Sequence, residues 1–213
     1  MLPSGSPRWR RRKDARPAEI IAAALAVFSE KGFAAARLDD IAARAGISKG
    51  ALYLYFETKE DLFQAVVTEA VAPNIDIVGG MIDRYDGDFA SLARMAVTQL
   101  ARVATESELG GVIKMVIGES RNFPELARVW HDTVVARAFS ALSGAVARAQ
   151  ARGEVKPGEP RNYAVGLISP LLMGVIWRET FVPVGAEPFD LAKLGSQHVE
   201  TMLAGMLTGK GGA

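Results

Sequence analysis

Residues 41 to 56 read IAARAGISKGALYLYF, and the spacing of three of them is typical of a helix-turn-helix. Ala42 is small enough to let two helices cross closely. Gly46 can adopt the positive φ that a sharp turn often requires. Leu52 fills the angle between the helices. The pattern therefore predicts one helix over 38–45 and a second helix over 48–56.

The second of these helices has two unlike faces. At about 100° per residue, Leu52 and Phe56 fall close together, so this side packs into the core. The side chains that then point away from the core are those of Tyr53, Leu54 and Tyr55. Two tyrosines and a leucine facing water are unexpected unless a further surface covers them. The covering surface is either the C-terminal part of the chain or a separate partner.

Small and hydrogen-bonding residues make double-stranded DNA a suitable partner for this face. Ser48, Gly50 and Ala51 keep the start of the helix slim enough to enter a major groove. The tyrosine hydroxyls can donate hydrogen bonds to phosphates, and Leu54 can contact a thymine methyl group. Lys59, in the first turn of the next helix, offers a positive charge and backbone N–H groups to a phosphate.

The rest of the chain shows helical periodicity without strand alternation. Pro17 suits the first turn of an opening helix, and Thr58 to Asp61 form a variant capping box that starts a helix ending at Pro73. Residues 74–87 have no clear assignment. Further helices are predicted over 88–105, 109–121, 124–152, 160–181 and 188–207, with a kink at Pro170. The predicted fold is all-α: an N-terminal three-helix helix-turn-helix domain and a larger C-terminal helical bundle.

Residues 17–67 resemble the N-terminal domain of the TetR/AcrR family of transcriptional regulators. Three segments carry the resemblance: EKGF at 30–33, DDIAARAGISKGALYLYF at 39–56 and TKEDLF at 58–63. The chain departs from the family at Ala36-Arg37, where Ser or Thr usually precedes the second helix. We therefore expect a weaker start of that helix, by about 1 kcal/mol.

The resemblance implies a homodimer whose two recognition helices read the halves of a palindromic operator. It places five residues near bases or backbone: Lys49, Gly50, Ala51, Tyr53 and Leu54. It places Tyr55 and Lys59 on phosphates. The implied division of the chain is a basic arm (1–16), a DNA-binding domain (17–60) and a domain for effector binding and dimerisation (61–213).

The N-terminal arm is strongly basic. Its charged residues are Arg8, Arg10, Arg11, Arg12, Lys13 and Arg16, against Asp14 alone. Such an arm in front of a folded domain commonly serves a polyanion, although a solvated tail has the same composition. With the family resemblance, we expect the arm, and Arg16 in particular, to contact phosphates or the minor groove.

The helix predicted over 160–181 is hydrophobic nearly all round, so it must be covered on more than one side. One side can face its own bundle and the other a second copy of the chain. The family resemblance implies that this helix and the one over 188–207 form a four-helix dimer interface. The alternative is a fully intramolecular core.

Large, adaptable side chains in the C-terminal bundle are candidates for an effector site. They are Met95, Met115, Trp130, His131, Phe139, Met173 and Trp177. His131 lies at the edge of an apolar helix face, which suits a structural histidine or a polar pocket group. Glu119 either orients a cationic ligand or ends its helix in solvent. We expect a largely apolar small effector that releases a repressor from its operator by spreading the two DNA-reading domains apart.

The chain lacks residues and motifs that characterise several other classes of protein. The chain has no cysteine and two histidines, and it contains no HExxH, Walker A or GxGxxG sequence. We expect no enzyme activity, no metal ion and no cofactor. The uncharged run at 163–177 is shorter than the roughly 20 residues that cross a bilayer, so a cytoplasmic protein without a membrane partner is expected. Two alternatives stay open: a constitutive DNA-binding protein without an effector, and an all-helical enzyme.

Overall fold

The computed structural model describes residues 16–209, and in this part of the chain the regular structure is helical, with no β-structure other than one isolated bridge between Val155 and Leu207. The helices are α1 (Arg16–Ala35), α2 (Leu38–Arg44), α3 (Lys49–Tyr53), α4 (Lys59–Ala65), α5 (Ala72–Arg84), α6 (Phe89–Glu106), α7 (Leu109–Glu119), α8 (Pro124–Trp130), α9 (Ala136–Ala151), α10 (Pro160–Thr180) and α11 (Leu191–Met206). The all-α prediction is confirmed. We call α1–α4 the head and residues 66–209 the body.

The helix starts in the head follow the local sequence. Ser48 caps α3 by accepting a hydrogen bond from the Ala51 N–H at 3.2 Å. Thr58 and Asp61 form a reciprocal capping box at the start of α4, as predicted. Arg37 stands at the N-cap of α2, and its side chain makes no capping hydrogen bond, which agrees with the missing Ser or Thr at this position.

The prediction that a helix ends at Pro73 is wrong, because the chain stays helical from Lys59 to Arg84. A π-helical segment, Val66–Val71, joins α4 to α5, and the Ala72 N–H bonds to the Val67 carbonyl across a wider turn. Pro73 then falls in the first turn of α5, where a missing N–H is tolerated. A second π-helical segment, His131–Val135, joins α8 to α9, so the helix predicted over 124–152 is continuous.

Two hydrophobic cores organise the described residues. The first joins α1–α4 to α7, α8 and both π-helical segments, and the second joins α5, α6, α9, α10 and α11. The rings of Phe28, Phe33, Phe63 and Phe123 meet in the first core with centroid distances of 5.0–6.1 Å. The head therefore shares one core with α7, α8 and the two π-helical segments of the body. The two cores are not separated at residue 60.

Helix α10 continues through Pro170 and packs on α9 and α11. Because proline lacks an N–H, the carbonyl of Gly166, four residues earlier, has no partner within the helix. His198 of α11 supplies one, with its Nε2 atom 2.7 Å from this oxygen. The proline thus provides an acceptor that ties α10 to α11.

By length and composition alone, the helical stretches Lys59–Arg84 and Pro160–Val184 are long and apolar enough to cross a membrane. The uncharged run at 163–177 lies within α10, whose bounds nearly match the helix predicted over 160–181. Lys59–Arg84 supplies buried residues to both cores, and Pro160–Val184 supplies buried residues to the second core.

Candidate nucleic-acid interface

Helix α3 is fixed on the head through its inner side. Leu52 is fully buried and packs in the core with Ile41 and Ala42 of α2. Gly46 has a φ of 68°, a left-handed conformation that glycine adopts without strain, and it turns the chain between α2 and α3. The helix-turn-helix predicted from these residues has the expected local geometry.

The opposite side of α3 is open to solvent. Tyr53, Leu54 and Tyr55 are 44%, 83% and 39% exposed. Ser48, Lys49 and Gly50 are also exposed, whereas Ala51 is half-buried. The two tyrosines are therefore not buried in the body, and an exposed surface of polar and apolar groups extends from Ser48, at the N-terminus of α3, to Leu54 and Tyr55, just after its end.

Lys49 at the start of α3 forms an ion pair with Asp39 of α2, with Nζ and Oδ1 2.8 Å apart. The hydrogen bond to Asp39 raises the pKa of Lys49 above its ordinary value. Both side chains are about half exposed, so water and salt weaken the pair. A phosphate or a base edge can therefore compete with Asp39 for the ammonium group.

The ammonium group of Lys59 lies elsewhere than the sequence predicted. Its Nζ atom donates to the carbonyl of Phe33 at 2.6 Å and lies 3.2 Å and 3.3 Å from those of Ala36 and Ala34. It also sits 4.4 Å from the centre of the Phe33 ring. Instead of offering a free charge to a phosphate, the side chain satisfies carbonyls at the end of α1.

The basic arm of residues 1–15 and the side chain of Arg16 lie outside the described residues. The backbone of Arg16 begins α1.

Comparison with known proteins places both parts of the chain in one family. The family described as "Bacterial regulatory proteins, tetR family" matches residues 20–66, and "Tetracyclin repressor-like, C-terminal domain" matches residues 86–188. Together these ranges span more than half of the chain. The chain belongs to the TetR family of transcriptional regulators.

Individual relatives agree with this assignment to the TetR family. The HTH-type transcriptional repressor BepR of Brucella suis biovar 1 is 28% identical over 91% of this chain and 94% of that protein. The HTH-type transcriptional regulator YfiR of Bacillus subtilis is 42% identical, over only 26% of this chain and 27% of that protein. The crystal structure of a TetR-family regulator from Mesorhizobium loti has a TM-score of 0.71 at 25% identity and covers 93% of this chain and 100% of that chain. All three are named as transcriptional regulators, and none of the names describes an enzyme.

The candidate effector residues of this TetR-family chain do not line one common cavity. Met115 is buried in the first core with Trp130 packed against that core. Met95 and Phe139 pack against the second core. The structure thus separates four of the seven candidates into two places.

The other three candidates lie at the surface or at its edge. His131 is well exposed, and its Nδ1 lies 2.7 Å from a carboxylate oxygen of Asp132. It is the first residue of the π-helical segment His131–Val135. Met173 is half exposed on α10. The ring of Trp177 packs at a tilt against those of Phe181 and Phe189, and its N–H donates to the Glu187 carbonyl, which places it at the α10–α11 connection.

Several clefts open on the surface of the described residues. A groove of about 800 Å³ runs between α5 and α9, over small residues and between the ion pairs Asp76–Arg137 and Asp83–Arg148. A cleft of about 520 Å³ lies between α1 and α7 and includes Met115 in its lining. In residues 16–209 no group of three or more His, Asp or Glu side chains could hold a metal ion.

Two contacts in the head were not predicted from the sequence. Glu119 binds backbone N–H groups at the end of α1, although the sequence suggested a ligand contact or a free helix end. Asp39 is the acid that holds Lys49. No local pattern signals either contact, because each joins elements whose relative position is set by the tertiary fold.

Proposed function

We propose that this TetR-family protein is a homodimeric, cytoplasmic repressor that binds a palindromic operator through α3 and leaves it when a small effector binds the body. The proposal rests on one observation. Leu52 anchors α3 in the core of the head, whereas Tyr53, Leu54 and Tyr55 remain exposed to solvent. An apolar, hydroxyl-bearing face on such a helix suits a major groove.

Each exposed residue has a distinct part in this proposal. Gly50 and Ala51 allow close approach, because open space surrounds the position of a Cβ at Gly50. Lys49, Tyr53 and Leu54 contact base edges, and Ser48 and Tyr55 hold phosphates. Lys59 contributes through the N–H groups at the start of α4, since its ammonium group is engaged with carbonyls. Arg16 and the arm add contacts to the backbone or minor groove.

Pairing of two chains is supported by the outer side of α10. Val165, Leu172 and Met173 are 41%, 43% and 50% exposed and lie at helical spacing on one side of this helix. The inner side, with Leu167, Leu171 and Val175 as its main residues, is buried in the second core. We propose that the outer side of α10, together with α11, forms the dimer interface.

The effector of this repressor is proposed to be small and largely apolar. The body offers mainly aliphatic, methionine and aromatic side chains around its second core. A ligand releases DNA only if it prefers the non-binding arrangement of the heads, by a few kcal/mol.

The test is selection of genomic DNA fragments by the purified protein. We expect recovery of one palindromic sequence whose half-sites lie about one helical turn apart or a multiple of that. Recovery of fragments without a shared sequence, at physiological salt, would refute specific operator binding. Small molecules related to the genes beside the recovered site are then tested for release of the operator. An operator affinity that none of them changes would support constitutive binding.

A further inference from the structure

Helix α1 is interrupted at Gly32, where the backbone makes a turn within the range of α1, and this turn is bound by a carboxylate from the body. Gly32 has a φ of 76°, and the next two N–H groups, of Phe33 and Ala34, both donate to the side chain of Glu119. The N···O distances are 2.8 Å to Oε1 and 2.6 Å to Oε2. Glu119 is the last residue of α7, so the contact joins the head to the body.

The same turn is held from the head by Lys59, which binds the carbonyls of Phe33, Ala34 and Ala36. The Phe33 ring is fully buried between Phe63 of α4 and Phe123, just after α7. Donors and acceptors of one short segment are thus satisfied from two different elements. The turn is the point at which α1, α4 and α7 are fixed to one another.

Both residue types at this contact are required by its geometry. A Cβ atom at position 32 would lie 2.6 Å from Oε1 of Glu119, so a side chain here would collide with the carboxylate as well as strain the backbone. The two N–H groups donate to different oxygens of Glu119, and a glutamine amide in the same place would present an NH₂ group, which is a donor, to one of them. A carboxylate also makes stronger hydrogen bonds than a neutral acceptor.

We propose that Glu119 is a positioning residue that sets the angle of the DNA-reading head relative to the body. A shift of α7 by about 1 Å would take its oxygens out of hydrogen-bonding range of one or both N–H groups. A movement of α7 would therefore displace the turn, and with it α2 and α3. The inference rests on the proposed function, because it assigns a route by which the body controls operator binding.

The experiment compares Glu119→Gln and Glu119→Ala with a matched control, Glu154→Gln. Glu154 also accepts a hydrogen bond from a backbone N–H, that of Phe89 at 2.7 Å, but both residues lie in the body. The chain has no cysteine, so Ala43→Cys on the exposed side of α2 gives one spin-label site per chain. Pulsed electron paramagnetic resonance then measures the distance between the two heads of the DNA-free dimer.

We expect one narrow distance distribution for the parent protein and for Glu154→Gln. Both Glu119 variants should give a broader or shifted distribution, with Glu119→Ala the more affected. Without the label, their affinity for the recovered palindrome should fall by about tenfold, as expected from the loss of a charge-assisted hydrogen bond. Phe33 and Ala34 amides should exchange faster while α3 keeps its protection.

An unchanged distance distribution and unchanged operator affinity in Glu119→Ala would overturn the inference. If Glu119→Ala does not fold, Glu119→Gln decides the question, because it retains the side-chain volume and one acceptor. A parent protein that selects no palindrome would instead refute the proposed function, and the DNA-free distances would still test Glu119. The two failures are therefore distinguishable.

Discussion

Two lysines of the head carry the same charge and have different environments. Lys49 is exposed beside Asp39, whereas Lys59 is partly buried over the Phe33 ring and among three carbonyls. A charge near the DNA-reading helix does not by itself identify a DNA contact. The hydrogen-bond partners of the ammonium group determine whether it is available to bind DNA or instead stabilises the fold.

We predict that Lys59→Met lowers the free energy of unfolding by about 1–3 kcal/mol, because carbonyls at the end of α1 lose a charged donor. Lys49→Met should leave the unfolding midpoint unchanged and weaken operator binding. Urea denaturation followed by circular dichroism measures the first effect, and gel shifts measure the second. Equal stability of the two variants would contradict the structural assignment of Lys59.

The leucines at 52 and 54 form a second matched pair, one fully buried and one 83% exposed. We predict that Leu52→Ala costs about 2–5 kcal/mol of stability, the range for a buried leucine. Leu54→Ala should unfold at the parent temperature yet bind the operator less tightly and with altered sequence preference. Calorimetry and a panel of operator variants separate the two effects. Full operator affinity in Leu54→Ala would argue against its contact with bases.

At the scale of single residues, the sequence was sufficient to predict the orientation of α3. Helical periodicity fixes which side of a short helix contains Leu52, and the remaining side chains follow from it. It was insufficient for Lys59 and Glu119, because long flexible side chains reach across several ångströms to partners that only the tertiary fold brings near. The tertiary fold also determines which helix faces meet, so the sequence could not show that the seven candidate effector residues lie in different places.

Among the helices, α7 shows how an element can hold the head. Gly111 allows it to approach α1 closely, since a Cβ there would lie 2.6 Å from the Cβ and 2.9 Å from the Cα of Ser29. At Gly118, on the same helix, no atom lies within 4 Å of the place that a Cβ would occupy. The close contact at Gly111 and the Glu119 carboxylate together join α7 to α1 near both ends of α7.

These two glycines allow a test within one helix. Gly118→Ala should stabilise the protein by up to about 1 kcal/mol, because alanine favours the helix. Gly111→Ala gains the same helix preference but forces α1 and α7 apart, so we predict a net loss of about 1–3 kcal/mol. Chemical denaturation measures both. A stabilised Gly111→Ala variant would show that the two helices separate without cost.

Helix boundaries were predicted well where capping residues are local, as at Ser48, Thr58 and Pro160. Pro73 misled the prediction because its effect depends on the preceding turn. The π-helical segment Val66–Val71 widens that turn and lets the helix continue. Such a segment leaves no clear periodic signal, since one extra residue in a turn resembles ordinary scatter of apolar positions.

For the whole molecule, the second side of α10 has no partner within the described part of the chain. Its apolar composition was read from the sequence, but a single chain cannot distinguish a second copy from an internal partner. The structure places Leu167 and Leu171 inside and leaves Leu172 and Met173 outside. The proposed pairing through the outer side would account for the apolar residues on both sides of α10.

We therefore predict that Leu172→Glu converts the dimer to a monomer, because two carboxylates would be buried against each other's apolar surface. Operator affinity should fall by about a hundredfold or more, since each half-site is then bound separately. Ile77→Glu is the control: this isoleucine of α5 is 64% exposed but lies outside α10 and α11, so its variant should remain dimeric and bind DNA normally. Sedimentation at micromolar concentration measures both states, and a dimeric Leu172→Glu variant would place the interface elsewhere.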